Sequence, residues 1–273
     1  MAGVSNGGEA KPATAARIYD YYLGGTHNFP ADREAAEAML RVFPVGPKLA
    51  RTNRAFLRRA VRYLAESGVR QFLDIGSGIP SEGNVHEVVQ QVAPDARVVY
   101  VDIDPVAVAE SLEILEGNEL ATAIRGDLRE PQAILSHPQV TALLDFTQPV
   151  GLLLAAVLHF VPEDDEAYDA VGQLRAALAP GSYVVASHAT TDDVVHDQDD
   201  LNVAHDTYQQ QTVTPLGLRS RSQFERFFTG LDLVEPGLVW LPLWRPAPDD
   251  PQYFTDDPKR SSGLAAVGRV LMP

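Results

Sequence analysis

Apolar positions along the chain follow two rhythms. Residues 31–41 (ADREAAEAMLR) and 51–66 (RTNRAFLRRAVRYLAE) space them as one face of a helix, and Gly68 is placed to stop the second segment. The rhythm then changes. From Arg70 to Ile75 a short apolar run ends in glycines, which predicts a strand and turn, and a helix is expected near 84–92. Val98 to Ile103 reads as a second strand. Asp104 and Pro105 suit the N-cap and first position of a helix through Glu116, with Gly117 at its end.

The alternation continues. Strands are predicted at Ala121 to Arg125, at Val150 to Leu158, and at Ser182 to Ser187 after a Pro180-Gly181 turn. Between the last two, Glu163 to Leu178 predicts a helix whose acidic first turn complements the macrodipole. Ser222 and Glu225 have capping-box spacing and predict a further helix over Phe227, Phe228 and Leu231. Leu231 to Leu241 and Leu264 to Leu271 supply closing strands. Strands alternating with helices imply an α/β fold, a mostly parallel doubly wound sheet that binds ligands beyond the carboxyl ends of its strands.

No repeat or low-complexity linker divides the 273 residues. The expected organisation is a disordered tail over 1–15, an N-terminal helical extension and lid over 16–68, and one α/β domain over 69–273. Nothing in the first residues resembles a signal-peptide core, and the longest apolar run, Val150 to Val161, is shorter than the roughly 20 residues that span a bilayer. The absence of cysteine excludes disulfides and thiolate chemistry, so a cytoplasmic protein with no membrane partner is expected.

Charge narrows the partners. A net charge of -15 opposes a broad phosphate-binding surface, so nucleic acid is not expected to bind. The exception is local: Arg51, Arg54, Arg58 and Arg62 recur at helical spacing and read as a solvated helix face.

Three strand ends carry acids. Asp74-Ile75-Gly76-Ser77-Gly78 closes the first strand, where small residues let a backbone approach a ligand. A dinucleotide loop prefers a third glycine facing a pyrophosphate, but that position is Ser81. An acid at this turn suits the sulfonium and ammonium of S-adenosylmethionine. Asp102 ends the second strand and, as an ionised carboxylate, can accept from both ribose hydroxyls. Gly126-Asp127-Leu128 follows the third, where a carboxylate can meet an adenine amino group and a backbone amide the ring.

The runs DIGSGIP, VVYVDIDP, GDLREP, AVLHFVP and LAPGSYVVASH resemble, in order and spacing, the class I S-adenosylmethionine-dependent methyltransferases. The opening ARIYDYYLGGTHNFPADR, the segment LARTNRAFLRRAVRYLAESGVRQFLDIGSGIP and EPGLV near the end are similar to a bacterial S-adenosyl methyltransferase branch. The resemblance spans about Ala16 to Pro246. It implies a Rossmann-like methyltransferase fold and S-adenosylmethionine as cofactor. It places Asp74, Gly76 and Gly78 at the methionine end, Asp102 at the ribose and Asp127 at the adenine, with Ser77, Ile103, Leu128 and Val157 beside them. Pro80 stands where the wider class often has a third glycine.

The acceptor side has weaker signals. Tyr19, Tyr22, Gly25 and Asn28 belong to an aromatic and glycine-rich cluster expected to form a lid over the cofactor, against the alternative of a helix-turn packed on the domain. His159 follows the fourth strand and is the candidate general base, against the alternative of a histidine bonded within the core. His188 is a weaker version of the same case. His196 and His205 lie near Asp192, Asp193, Asp197 and Asp206 without ligand spacing, so no metal is expected and a solvated insertion is. Tyr208 within the Ala189–Arg221 insertion can line an acceptor cavity. The expected activity is methyl transfer to a small neutral or cationic molecule. The alternatives are a non-catalytic S-adenosylmethionine-binding sensor or accessory protein and, more distantly, an NAD-dependent dehydrogenase.

Overall fold

A computed structural model describes residues 12–80, 83–190, 192 and 198–271. In chain order its elements are α1 (Ala15–Leu23), α2 (Pro30–Val42), α3 (Gly46–Glu66), β1 (Gln71–Ile75), α4 (Val85–Val92), β2 (Arg97–Asp102), α5 (Pro105–Ile114) and β3 (Ala121–Arg125). There follow α6 (Pro131–Leu135), α7 (Pro138–Leu143), β4 (Gly151–Ala155), α8 (Asp164–Ala176), β5 (Tyr183–Ala189), α9 (Gln198–Gln211), α10 (Arg221–Glu225), β6 (Asp232–Leu233), β7 (Val239–Trp240) and β8 (Gly263–Arg269).

The sheet runs β3-β2-β1-β4-β5-β8-β6, with β7 also paired to β8. Its first five strands are parallel, and β8 returns antiparallel beside β5. Every residue of β1 is buried, as a sheet covered on both faces requires. One face packs Leu73, Val99 and Leu152 under α6–α8 and Phe224, Phe227 and Phe228. The other packs Phe72, Val98 and Leu153 under α3, α4 and Trp244. The result is the expected Rossmann-like α/β architecture, three layers deep.

Several boundaries differ from the sequence reading, each for a local reason. Helix α3 starts at Gly46 because Pro47 sits in its first turn, where the missing N–H costs nothing. Short helices α6 and α7, not foreseen, also open on proline. The fourth strand stops at Ala155: Ala156 takes a φ of 55°, and a 3₁₀ turn over Leu158–Phe160 follows. The capping box before Phe227 is Ser220 with Gln223, and Ser222 with Glu225 lies within α10 itself. The insertion after β5 is not wholly solvated, since α9 sets Ala204 and Tyr208 against Met39 of α2.

The N-terminal extension lies across the carboxyl ends of the strands. Packed chain begins before the expected boundary at 15: Ala13 is buried and the Thr14 hydroxyl donates to Asp104 Oδ2 over 2.7 Å. The rest of the expected tail, 1–11, lies outside the described residues. Inside the extension Asp32 is fully buried and accepts from Arg17, Thr14 N and Phe29 N, so one carboxylate ties α1 to α2.

Candidate functional site

Beyond the carboxyl ends of β1–β5 a cavity of about 710 Å³ opens, within the size range of ligand sites. Asp74, Gly76, Ser77, Gly78, Asp102, Ile103, Asp127, Leu128, Val157 and His159 all line it, as do Tyr19 and Tyr22 from α1. The structure therefore brings together most of the residues singled out from sequence.

The first turn is shaped by glycine. Gly76 has a φ of 72°, and a Cβ there would strike the Val157 side chain just beyond β4, so the loop passes this close only because residue 76 has no side chain. Ser77 N donates to Val101 O over 3.2 Å and Gly78 N to Asp102 Oδ2 over 2.7 Å, which clamps the turn onto β2.

Asp74 is 3% exposed, and burial pushes its carboxyl up to about 7, opposed by Arg54 and reinforced by Asp102. Asp102 is pushed up to about 6 by burial, with the backbone amides of Asp104 and Gly78 acting against the rise. Its two oxygens each accept one of those amides, so a ribose would use the lone pairs that remain. Asp127 is held below its usual range: burial alone would raise it, but Arg129 grips it with bonds of 2.9 and 2.5 Å. Between these acids Ile103, 51% exposed, lines the cavity as an apolar platform after the end of β2.

On the other side of β1, a polar floor is internally satisfied. The Ser187 hydroxyl donates to Asn53 Oδ1 over 2.6 Å, and Asn53 Nδ2 donates to the Tyr19 hydroxyl over 3.1 Å. His159 is 9% exposed, and burial, aided by Arg219, pushes it down to about 4. Its Nδ1 is buried without a hydrogen-bond partner among the described residues. His188, 5.4 Å away ring to ring, is occupied at Nδ1 by Ala189 O and at Nε2 by Arg219.

Not every expected residue reaches the cavity. Gly25 and Asn28 lie in the turn after α1, where Asn28 Nδ2 donates to Asp20 over 2.7 Å and a Cβ on Gly25 would collide with that carboxylate. They shape the extension rather than line the site. His205 bonds Leu216 O and approaches Asp206, while Asp192 accepts from Arg221 N. His196, Asp193, Asp197 and Ser81 lie outside the described residues.

Three contributors went unread in the sequence, and a fourth, Arg54, was read as part of a solvated helix face. Arg54 is no solvated side chain: it faces Asp74 and donates to Asn84 Oδ1 over 3.3 Å. Asn53 beside it continues the buried stripe of α3. The signal was present, because Asn53 and Arg54 precede Leu57, Val61 and Leu64 at helical spacing. Arg17 and Arg219, both buried, carried no such pattern.

The profile of a family described as S-adenosyl methyltransferase matches residues 5–271. No curated protein matches the chain. Among solved structures, the chain is similar to a candidate methyltransferase from Thermobifida fusca YX: 38% identity, 96% of each chain covered, TM-score 0.87. It is similar also to a DUF574 family protein from Streptomyces avermitilis, at 38% identity, covering 95% of this chain and 98% of that one with TM-score 0.88. Human N-acetylserotonin methyltransferase in complex with S-adenosylmethionine shares the fold alone, at 14% identity over 93% of this chain and 70% of that one, TM-score 0.50.

Proposed function

The chain belongs to the S-adenosyl methyltransferase family, and from that premise we propose that the cavity over β1–β5 binds S-adenosylmethionine on one side of β1 and a small-molecule acceptor on the other. The enzyme is an S-adenosylmethionine-dependent methyltransferase. The residues present suit that cofactor. Asp74 answers a cationic methionine end, Asp102 two hydroxyls, Ile103 the face of a ring, and Asp127 with the Leu128 backbone the ring's polar edge. Gly76, Ser77 and Gly78 keep the turn low enough for backbone contact.

The single observation that carries the reading is the gathering of three strand-end acids, Asp74, Asp102 and Asp127, in one cavity at the carboxyl ends of β1–β3. When bound, the cofactor supplies an activated methyl: the acceptor atom bonds the methyl carbon while the carbon–sulfur bond breaks with its pair on sulfur. The protein's own part is positioning, which supplies much of the acceleration for so reactive a donor. His159 takes a proton where the acceptor has one to lose. Being held neutral, its imidazole is free to accept across ordinary pH. An empty acceptor half would have favoured the sensor alternative, whereas His159 stands there with a buried, unpartnered nitrogen.

Titration calorimetry tests the assignment. S-adenosylmethionine and S-adenosylhomocysteine should bind and NAD should not, and Asp102→Ala should weaken cofactor binding by about 1–3 kcal/mol, the worth of bonds to a charged acceptor. Tight NAD binding, or an indifferent Asp102→Ala, contradicts it. The excess of acid, -15 overall, supports a small molecule over nucleic acid as acceptor, and no described helix is long and apolar enough to cross a membrane.

A further inference from the structure

Sheet order divides the cavity. With cofactor over β3, β2 and β1, the space above β4 and β5 is left for the acceptor. Its walls come from α2, the start of α3, the 3₁₀ turn after β4, α9 and the loop that follows it. Tyr22, Met39, Phe43, Phe160, Tyr208 and Leu216 form one packed cluster there, so four aromatic rings and two flexible apolar side chains face the space.

Charged side chains do not line this half among the described residues. Among the described residues, those lining the cavity from 39–50, 157–161, 208–216 and 241–263 include no Asp, Glu, Lys or Arg. The charged lining residues sit at the β1–β3 ends or are turned toward them: Arg54 acts on Asp74, and Arg17 bonds Asp32 and Asp104. A carboxylate, phosphate or ammonium entering the acceptor half would lose its hydration with nothing to replace it.

Most polar groups there are also spoken for. Ser187 and Asn53 bond each other, His188 is held at both nitrogens, and the Thr214 hydroxyl accepts from Ala15 N over 3.3 Å. Two groups differ: His159 Nδ1 and the Tyr208 hydroxyl are both buried with no partner among the described residues, and of the two the imidazole can take a proton. A neutral imidazole offers one donor and one acceptor, and leaving such a group unmet in a buried site is costly. A ligand bringing a hydroxyl meets that need.

Resting on the cofactor assignment above, we propose that the acceptor is an uncharged aromatic molecule of the phenol class, its ring seated among Tyr22, Phe43, Phe160 and Tyr208 and its hydroxyl hydrogen-bonded to the His159 imidazole. The acceptor oxygen is then the methylated atom. Its lone pair takes the methyl as the carbon–sulfur bond pair passes to sulfur, and its proton passes to the imidazole and from there to water. A weakly basic imidazole suffices, because the proton becomes far more acidic as the oxygen is alkylated. The cationic acceptor open to the sequence has no counter-charge waiting for it here.

The test is binding rather than turnover. The full chain is first titrated with S-adenosylhomocysteine, and the saturated protein is then titrated with phenol, naphthol and phenanthrol, each beside its carboxylate and its parent hydrocarbon. At least one phenol should bind tenfold or more tightly than both counterparts. His159→Phe, which keeps a ring in place, should reduce the preference for phenol over hydrocarbon to less than threefold while S-adenosylhomocysteine affinity stays within threefold. If His159→Phe misfolds, His159→Leu in the same titration serves. S-adenosylhomocysteine binding with no phenol preferred, or with a carboxylate preferred, overturns the phenol assignment alone. No S-adenosylhomocysteine binding overturns the proposed function and this assignment with it.

Discussion

Two carboxylates are buried at neighbouring strand ends, Asp74 facing Arg54 and Asp102 accepting the amides of Gly78 and Asp104. The carboxyl of Asp74 lies at about 7 against an ordinary 3.8, because burial disfavours its charge more than Arg54 restores it. Between those pH values the folded protein keeps a proton that the unfolded chain has lost. Stability contributed by Asp74 is therefore present at low pH and lost as pH rises through about 7. Asp74→Asn should raise the melting temperature of the ligand-free protein above about pH 8, by on the order of 1–3 kcal/mol in stability. It should also weaken cofactor binding by tenfold or more. Thermal unfolding and calorimetry on the same sample check both, and a destabilised Asp74→Asn would show that the carboxylate serves the fold instead. His159 gives the second residue-level expectation. His159→Ala should lower kcat roughly 10²-fold on an acceptor that loses a proton, with S-adenosylhomocysteine affinity nearly intact. With the imidazole neutral down to about 4, wild-type kcat at saturating cofactor should hold as pH falls to about 5 and decline below it. A decline centred near 6.5 would place the titrating base elsewhere.

Single elements carry the geometry that those residues use. Arg219 enters from the loop before α10 and donates to Leu158 O, Val161 O and Asp164, over 2.8, 2.7 and 2.8 Å, which pins the turn bearing His159. Arg219→Met keeps the stem but breaks these bonds, and should cost about 2–3 kcal/mol in denaturant unfolding while raising the imidazole's pKa, read by NMR. The latch on α1 is its counterpart. Thr14 and Arg17 reach Asp104, which also caps α5 by accepting from Val106 N over 2.9 Å. Saturating S-adenosylhomocysteine should slow amide exchange across α1, and Asp104→Asn should abolish most of that protection. Unchanged exchange in α1 would remove it as a lid. Elements of this kind set the limit of what the sequence disclosed. Strands such as QFLDI and VVYVD declare themselves by continuous apolar runs, and Asp104-Pro105 by its capping chemistry. Arg219 and Arg17 did not, since a buried arginine looks like any surface arginine until distant partners, such as Leu158 O 61 residues from Arg219 or the Asp104 carboxylate beside Arg17, are folded against it. Gly25 and Asn28 misled for the converse reason: their local pattern suits a lid, but Asp20 uses both within the turn.

At the scale of the whole molecule, the sheet separates two chemistries. Acids and arginines gather over β1–β3, and rings and aliphatic side chains over β4 and β5. The boundary between them is Gly76 against Val157, where the first loop passes the Val157 side chain beyond the end of β4 closely enough that a Cβ on Gly76 would strike it. The roof over both halves is the chain's own N-terminal helix, clasped to the edge of the cofactor half by Thr14 and Arg17. Should the demethylated cofactor leave past this helix, the roof must lift once per cycle. Time in the closed form then becomes dwell time for the spent cofactor. Protein purified without denaturation should carry S-adenosylhomocysteine visible by mass spectrometry, and loosening the clasp should hasten its departure more than it slows the arrival of fresh cofactor.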